Sequence, residues 1–133
     1  MIFVDTSAIV AMIAGEPDGL ILADKLQQAG DNITAGHVIL ESAMRLSSLF
    51  DFSPTTADSL IVDLPRKTST GVVPITEETA HAAVAAFERY GKGRKSRAGL
   101  NFGDCLSYAC AKVHGARLLF KGGDFIHTDI ARA

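Results

Sequence analysis

No tryptophan occurs in this 133-residue chain, which also has only two tyrosines, four prolines and two cysteines. So little cysteine excludes a small fold stapled by disulfides. Cys105 and Cys110 fall in what reads as one helix, at a spacing that sets them on different sides, which argues against a mutual bond. No histidine is spaced to complete a zinc-finger set with them. They read as small buried hydrophobes in a reducing cytoplasm. Charge of one sign is also lacking. The formal net charge is −2, so no global basic field advertises a nucleic-acid partner, and any such surface must be local. No apolar run approaches the roughly 20 residues of a membrane span. A signal peptide is not expected, because charged n-region residues are missing and the apolar opening is broken at Asp5. At 47% hydrophobic and 21% charged, the chain reads as one globular domain, residues 1–133, with one core.

Strand and helix signals alternate along the chain. Ile2–Val4 is apolar on both faces, as in a central parallel strand. Thr6–Ala14 reads as a helix ending near Gly15, too apolar to show one face to solvent and therefore buried in the core or under a partner. Glu16 and Pro17 open a second helix, with Leu20, Leu22, Ala23 and Leu26 on its apolar side. Asn32–Ala35 is a weak strand. Val38–Phe50 and Thr55–Leu64 read as helices. Gly71–Ile75 is a β-branched strand. Thr76 caps a helix whose apolar positions are Ala80, Ala83, Val84 and Phe87. After a polar loop over Gly91–Gly99, Phe102, Leu106, Ala109, Cys110 and Val113 form one face of a further helix. Arg117–Phe120 is the last strand. The alternation predicts an α/β sandwich around a mostly parallel sheet.

In such sheets, sites form beyond the carboxyl ends of the strands. Four acids stand at element ends. Asp5 follows the first strand, where capping the next helix is the competing role. Glu41 lies on the polar stripe Glu41, Arg45 and Ser48 of an otherwise apolar helix, either in an exposed ion pair or facing a cleft. Asp104 lies in the first turn of its helix, a position the helix dipole alone would favour. Asp124 follows the last strand in the turn Gly122-Gly123-Asp124-Phe125, where ordinary turn chemistry is the alternative. Together, acids at one sheet edge would repel one another and raise their pKa values. A divalent cation removes that penalty, and an oxygen-only set suits Mg²⁺ or Mn²⁺ over zinc. Such an ion can activate water and stabilise charge on a phosphodiester. Spacing alone does not bring the four together.

The segments FVDTSAIVAM, ESAMRLSSLF, LNFGDCLSYACAK and LLFKGGDF, in that order, closely resemble the PIN-domain ribonucleases, in particular VapC-type toxins of bacterial toxin–antitoxin pairs. The resemblance runs from Ile2 to about Asp129. It implies a compact PIN-like α/β/α sandwich with a parallel sheet and a metal-dependent endoribonuclease site acting on single-stranded or loop RNA. Its metal-holding and catalytic acids match Asp5, Glu41, Asp104 and Asp124. The match at Asp124 depends on aligning the Asp-Phe pair, because Gly123 stands where many relatives carry a polar or acidic residue. Thr6 and Ser7 resemble the family's hydroxyl beside the acids, and Asn101 resembles its acid-orienting amide. Helix-start and capping roles compete at all three. The resemblance further implies a cognate antitoxin that inserts a segment into the acidic groove, a toxin homodimer, and contact with DNA only through the antitoxin. Retention of all four acids argues against a second reading, a catalytically silent PIN module that binds RNA or protein, for which the departure at Gly123 leaves room. Two phosphate-handling folds fit worse. A receiver domain needs an acidic pair, and a haloacid-dehalogenase-like phosphatase needs a second Asp where the chain reads DTSAI.

The segment RYGKGRKSR, Arg89 to Arg97, holds five of the 13 Lys and Arg residues. It leads into Asn101 and Asp104. Arg94, Lys95 and Arg97 are therefore candidate RNA contacts through phosphate, with Tyr90 as a candidate base-stacking ring and a solvated loop as the alternative. Arg66 and Lys67 form a weaker candidate. No catalytic role is assigned to His37, His81, His114 or His127, so the attacking hydroxide is expected to come from the metal.

Overall fold

The computed structural model describes the backbone of residues 1–133 and every side chain except that of Pro65. Four strands, β1 (Ile2–Val4), β2 (Asn32–Ala35), β3 (Thr70–Val73) and β4 (Arg117–Leu119), form one sheet in the order β3-β2-β1-β4. Every pairing is parallel, with Phe3 opposite both Ile33 and Leu118. Six helices surround it: α1 (Thr6–Ile13), α2 (Gly19–Ala29), α3 (Gly36–Phe50), α4 (Pro54–Thr68), α5 (Glu77–Tyr90) and α6 (Phe102–Val113). Among the described residues, no helix is long and apolar enough to cross a membrane.

β1 is buried along its whole length, which explains its uniformly apolar residues. From β1 the chain steps to β2 and β3 on one side, then crosses to β4 on the other. The topology therefore reverses between β1 and β4, and the carboxyl ends of both open onto that crevice. Asp5 leaves β1 there, its backbone N–H bonded to Leu119 O across the gap at 3.0 Å.

The core holds Ile2, Phe3 and Val4 with Ala8–Ala11 of α1, Leu46 of α3 and Cys105–Ala111 of α6. Burial of the first turns of α1 accounts for its missing polar face. Both cysteines are free and buried; burial pushes the Cys110 thiol up to about 11. Several expected faces differ. Leu20 is 79% exposed and Phe102 is 83% exposed, while Val84 and Phe87 also face solvent. In α2 the apolar side narrows to Leu22 and Leu26. In α6, continuous burial begins only at Cys105, because the first turn carries Asp104 rather than packing on the sheet. α2 starts at Gly19, later than expected. Left-handed Gly15 ends α1, and Glu16–Asp18 form a turn closed by a 2.8 Å bond from Gly19 N to Glu16 O. α4 extends beyond Leu64 to Thr68, whose hydroxyl donates to Leu64 O at 2.8 Å.

Candidate active site

Each acid is presented by a different element. Asp5 is buried and caps α1, as its position allows, with Oδ2 accepting from Ser7 N at 3.0 Å and from Ser7 Oγ at 2.6 Å. Both bonds fall on Oδ2, so neither engages Oδ1. Glu41 projects from the second turn of α3, where Thr6 Oγ1 donates to its Oε2 at 3.2 Å. The two hydroxyls after Asp5 therefore serve two different acids.

Asp104 and Asn101 form a reciprocal capping box at the start of α6. Asn101 N donates to Asp104 Oδ2, and Asp104 N donates to Asn101 Oδ1, each at 2.9 Å. The Asn101 side chain thus takes the capping role, and the bond to the Asp104 carboxylate comes from the Asn101 backbone N–H rather than from its amide. Gly103 sits between them, beside the Glu41 carboxylate. A Cβ there would lie 2.6 Å from Glu41 Oε2, so a bare α-carbon lets the Glu41 carboxylate approach the amino end of α6. Asp124 is exposed, in the turn after β4. That turn is closed by Ile126 N to Gly123 O at 3.3 Å and by Thr128 N and Oγ1 to Phe125 O, none of which uses the Asp124 side chain.

Electrostatics links the four. Burial first, and then the charges of Asp5, Asp124 and Glu41, raise the Asp104 pKa to about 6 against the helping bond from Asn101. Glu41 is raised mainly by burial, then by Asp5 and Asp124; Thr6 and Arg45 oppose the rise. Glu41 and Arg45 are thus coupled, though not as the tight exposed pair that spacing alone would allow. Among the described residues, no three His, Cys, Asp or Glu side chains already stand close enough to enclose a metal ion. The donor set nonetheless fits one. It is all oxygen, and the charges of Asp5 and Asp124 disfavour ionisation of both Asp104 and Glu41, so a hard divalent cation would draw the side chains inward against that repulsion.

Two contacts near the acids were not legible in the sequence. The His37 ring bonds Ser107 Oγ at 3.1 Å, joining α3 to α6 one turn from Glu41 and from Asp104. Burial lowers the His37 pKa against the opposing charge of Asp5. The only signals are spacings, with His37 four before Glu41 and Ser107 three after Asp104. Lys121 is the other. Its N–H donates to Ser7 Oγ at 3.0 Å.

The basic loop closes on itself at its base, with Lys92 N bonded to Leu100 O at 2.9 Å and Leu100 N to Tyr90 O at 2.8 Å. Arg94, Lys95 and Arg97 are exposed on it, and the Arg94 guanidinium lies 5.1 Å from the Phe87 ring centroid. Tyr90 does not fit the base-stacking role. It is buried and packs at a tilt on Tyr108, because its position faces α6.

The PIN domain family model matches residues 2–131. The chain is 41% identical over 135 residues to ribonuclease VapC30 of Mycobacterium tuberculosis, covering 96% of this chain and 95% of that one. It is 42% identical over 130 residues to ribonuclease VapC28 of the same organism, covering 98% and 96%. A ribonuclease VapC of Mycolicibacterium smegmatis is 41% identical over 128 residues, covering 96% of each. Among solved structures, the sarcin–ricin-loop-cleaving toxin VapC20 of M. tuberculosis superposes with a TM-score of 0.75 at 20% identity, covering 100% of this chain and 98% of that one. A toxin–antitoxin complex from Klebsiella pneumoniae superposes with a TM-score of 0.67 at 16% identity, covering 97% and 93%. With the family model spanning nearly the whole chain and these relatives matched almost end to end, the chain belongs to the PIN-domain family and, within it, to the VapC ribonucleases.

Proposed function

We propose that this chain is an RNA-cleaving toxin of the VapC type, a Mg²⁺- or Mn²⁺-dependent endoribonuclease acting on single-stranded or loop RNA in the cytoplasm. The observation that carries this reading is that two carboxylates on different helices, Asp104 at about 6 and Glu41, are both raised, first by burial and then by the charges of Asp5 and Asp124. Asp5, Glu41 and Asp104, with Asp124, are the residues that would hold the cation. When bound, the cation supplies Lewis acidity toward a phosphodiester and an activated water. The chain's own part is orientation. Ser7 and Thr6 hydroxyls fix Asp5 and Glu41, and Asn101 N–H fixes Asp104. Arg94, Lys95 and Arg97 would neutralise phosphates along the approaching strand. Phe102, exposed in the same helical turn as Asp104, offers the stacking surface that buried Tyr90 does not.

Membership of the VapC class and the likeness to a toxin–antitoxin complex support a cognate antitoxin as partner. A basic side chain of such a partner would meet the acids directly. Leu40, Met44 and Leu49 of α3 are exposed near Glu41 and Arg45, and give a partner or a second copy an apolar surface at the rim of the site. DNA would be reached only through the antitoxin.

The test is cleavage of a structured RNA by purified protein with Mg²⁺, with EDTA, and with Asp5→Asn. Mapping of new 5′ ends would identify the cut. Cleavage that needs Mg²⁺ and disappears in Asp5→Asn is the expected result. A second reading, a silent RNA- or protein-binding PIN module, draws on the acids' not being gathered around an ion-sized centre. RNA binding without cleavage at any Mg²⁺ or Mn²⁺ concentration would establish it.

A further inference from the structure

We propose that Lys121 is a positioning residue for the acidic centre, an inference that rests on the metal-dependent reading above. Lys121 is the second residue after β4, and it acts through both its backbone and its side chain. Its N–H donates to Ser7 Oγ at 3.0 Å, and the Ser7 hydroxyl donates in turn to Asp5 Oδ2 at 2.6 Å. Because the Ser7 oxygen accepts from Lys121, its proton is directed toward Asp5. The relay holds Oδ2 and leaves Oδ1 unengaged by it.

The Lys121 ammonium bridges two carboxylates of the α1–α2 connection. It pairs with Glu16 Oε2 and lies 3.0 Å from Asp18 Oδ1. These pairs raise the Lys121 pKa and lower that of Asp18. An exposed ion pair contributes little to stability by itself. Its place in the fold gives this one a different use. Lys121 begins the turn that carries Asp124. Phe125, within that turn, is buried and packs at a tilt on Phe120 with centroids 5.1 Å apart. Between these two fixed points lie only Gly122, with φ +94°, Gly123 and Asp124. With the Lys121 end released, two adjacent glycines would let Asp124 wander. One residue therefore orients Asp5 through Ser7 and anchors the turn of Asp124.

A direct phosphate contact is the competing role for a lysine beside this site. The two roles differ in the part played by Glu16 and Asp18. For positioning they are the anchor; for phosphate binding they compete with RNA for the same ammonium.

The experiment compares wild type, Lys121→Met, Lys121→Arg, the double variant Glu16→Gln/Asp18→Asn, and Asp5→Asn. Mn²⁺ affinity is read from the Mn²⁺-dependent rise in thermal midpoint, alongside kcat and KM on RNA. Positioning predicts that Lys121→Met loses about 10–100-fold in Mn²⁺ affinity and in kcat, with KM little changed. Lys121→Arg should retain most of both, and Glu16→Gln/Asp18→Asn should lose both although Lys121 is still present. Unchanged Mn²⁺ affinity in both Lys121→Met and the double variant would overturn the proposal. So would weakened RNA binding in Lys121→Met with tightened binding in the double variant, which marks a phosphate contact. Should Lys121→Met fail to fold, the double variant decides alone. Wild-type cleavage that is lost in Asp5→Asn upholds the functional reading whatever the Lys121 variants show; no Mn²⁺ response in wild type rejects that reading and the positioning role together.

Discussion

Replacing Asp104 by Asn should abolish cleavage and yet stabilise the metal-free protein. Asn keeps a side-chain oxygen that can accept from Asn101 N–H, so the capping box survives. What disappears is a half-buried charge facing three others. A folded-state rise from 3.8 to about 6 corresponds to about 3 kcal/mol at about 1.4 kcal/mol per pH unit. Asp104 is partly open to water, so screening reduces this to on the order of 1–2 kcal/mol. The sign follows from proton uptake. With its pKa raised, Asp104 is protonated in the folded state at pH values where the unfolded chain has already lost the proton. Its contribution to stability is full below about pH 4 and is lost as pH rises through about 6. In EDTA at pH 7.5, Asp104→Asn should therefore melt about 3–8 °C above wild type for a domain of this size. At pH 4 the two should nearly coincide. Added Mg²⁺ should raise the wild-type midpoint and narrow or reverse the gap, because binding to the folded state stabilises by RT ln(1 + [L]/Kd). The assay is a thermal scan from pH 4 to 8, with and without Mg²⁺. A metal-free variant less stable than wild type at pH 7.5 would refute the reasoning, since the cap and not the repulsion would then dominate.

Asp124→Asn should lower Mg²⁺-dependent cleavage about 10–100-fold if Asp124 helps hold the ion; a lowered midpoint of about 1 kcal/mol with normal cleavage would instead make it a turn cap. Replacing Arg94, Lys95 and Arg97 together by Ala should reduce the magnitude of the salt-dependence slope of RNA binding by about 2, at about 0.7 per phosphate contact on a single strand. An unchanged slope would return the loop to plain solvation. Phe102→Ala should weaken RNA binding by about 1–3 kcal/mol while Phe102→Tyr retains it, if the ring stacks on a base. Equal effects on a strand made abasic near the cut would rule the stacking out.

The sequence by itself determined the order of strands and helices, because local signals sufficed. The uninterrupted apolar β1, the Thr76 cap, which accepts from Thr79 N at 3.2 Å, and the Gly91–Gly99 loop all appear where patterning puts them. It also marked the four acids, since each stands at an element end or on a polar stripe. Which of them feel one another's charge was decided only by tertiary structure. The parallel register and the reversal between β1 and β4 bring residues more than a hundred positions apart to one edge. Side-chain roles that depend on the facing element were equally hidden. Tyr90 lies in a basic segment, yet it turns inward because α6 packs beside it. Phe102 fits an apolar period, yet it stays outside because the first turn of α6 extends beyond the sheet. Lys121 and Gly103 carry no local pattern at all. Lys121 gains its role from carboxylates on the α1–α2 connection, and Gly103 from a Glu41 carboxylate that would have to shift to admit a Cβ. Such contacts arise only when separate elements meet, so no window of neighbouring residues contains them.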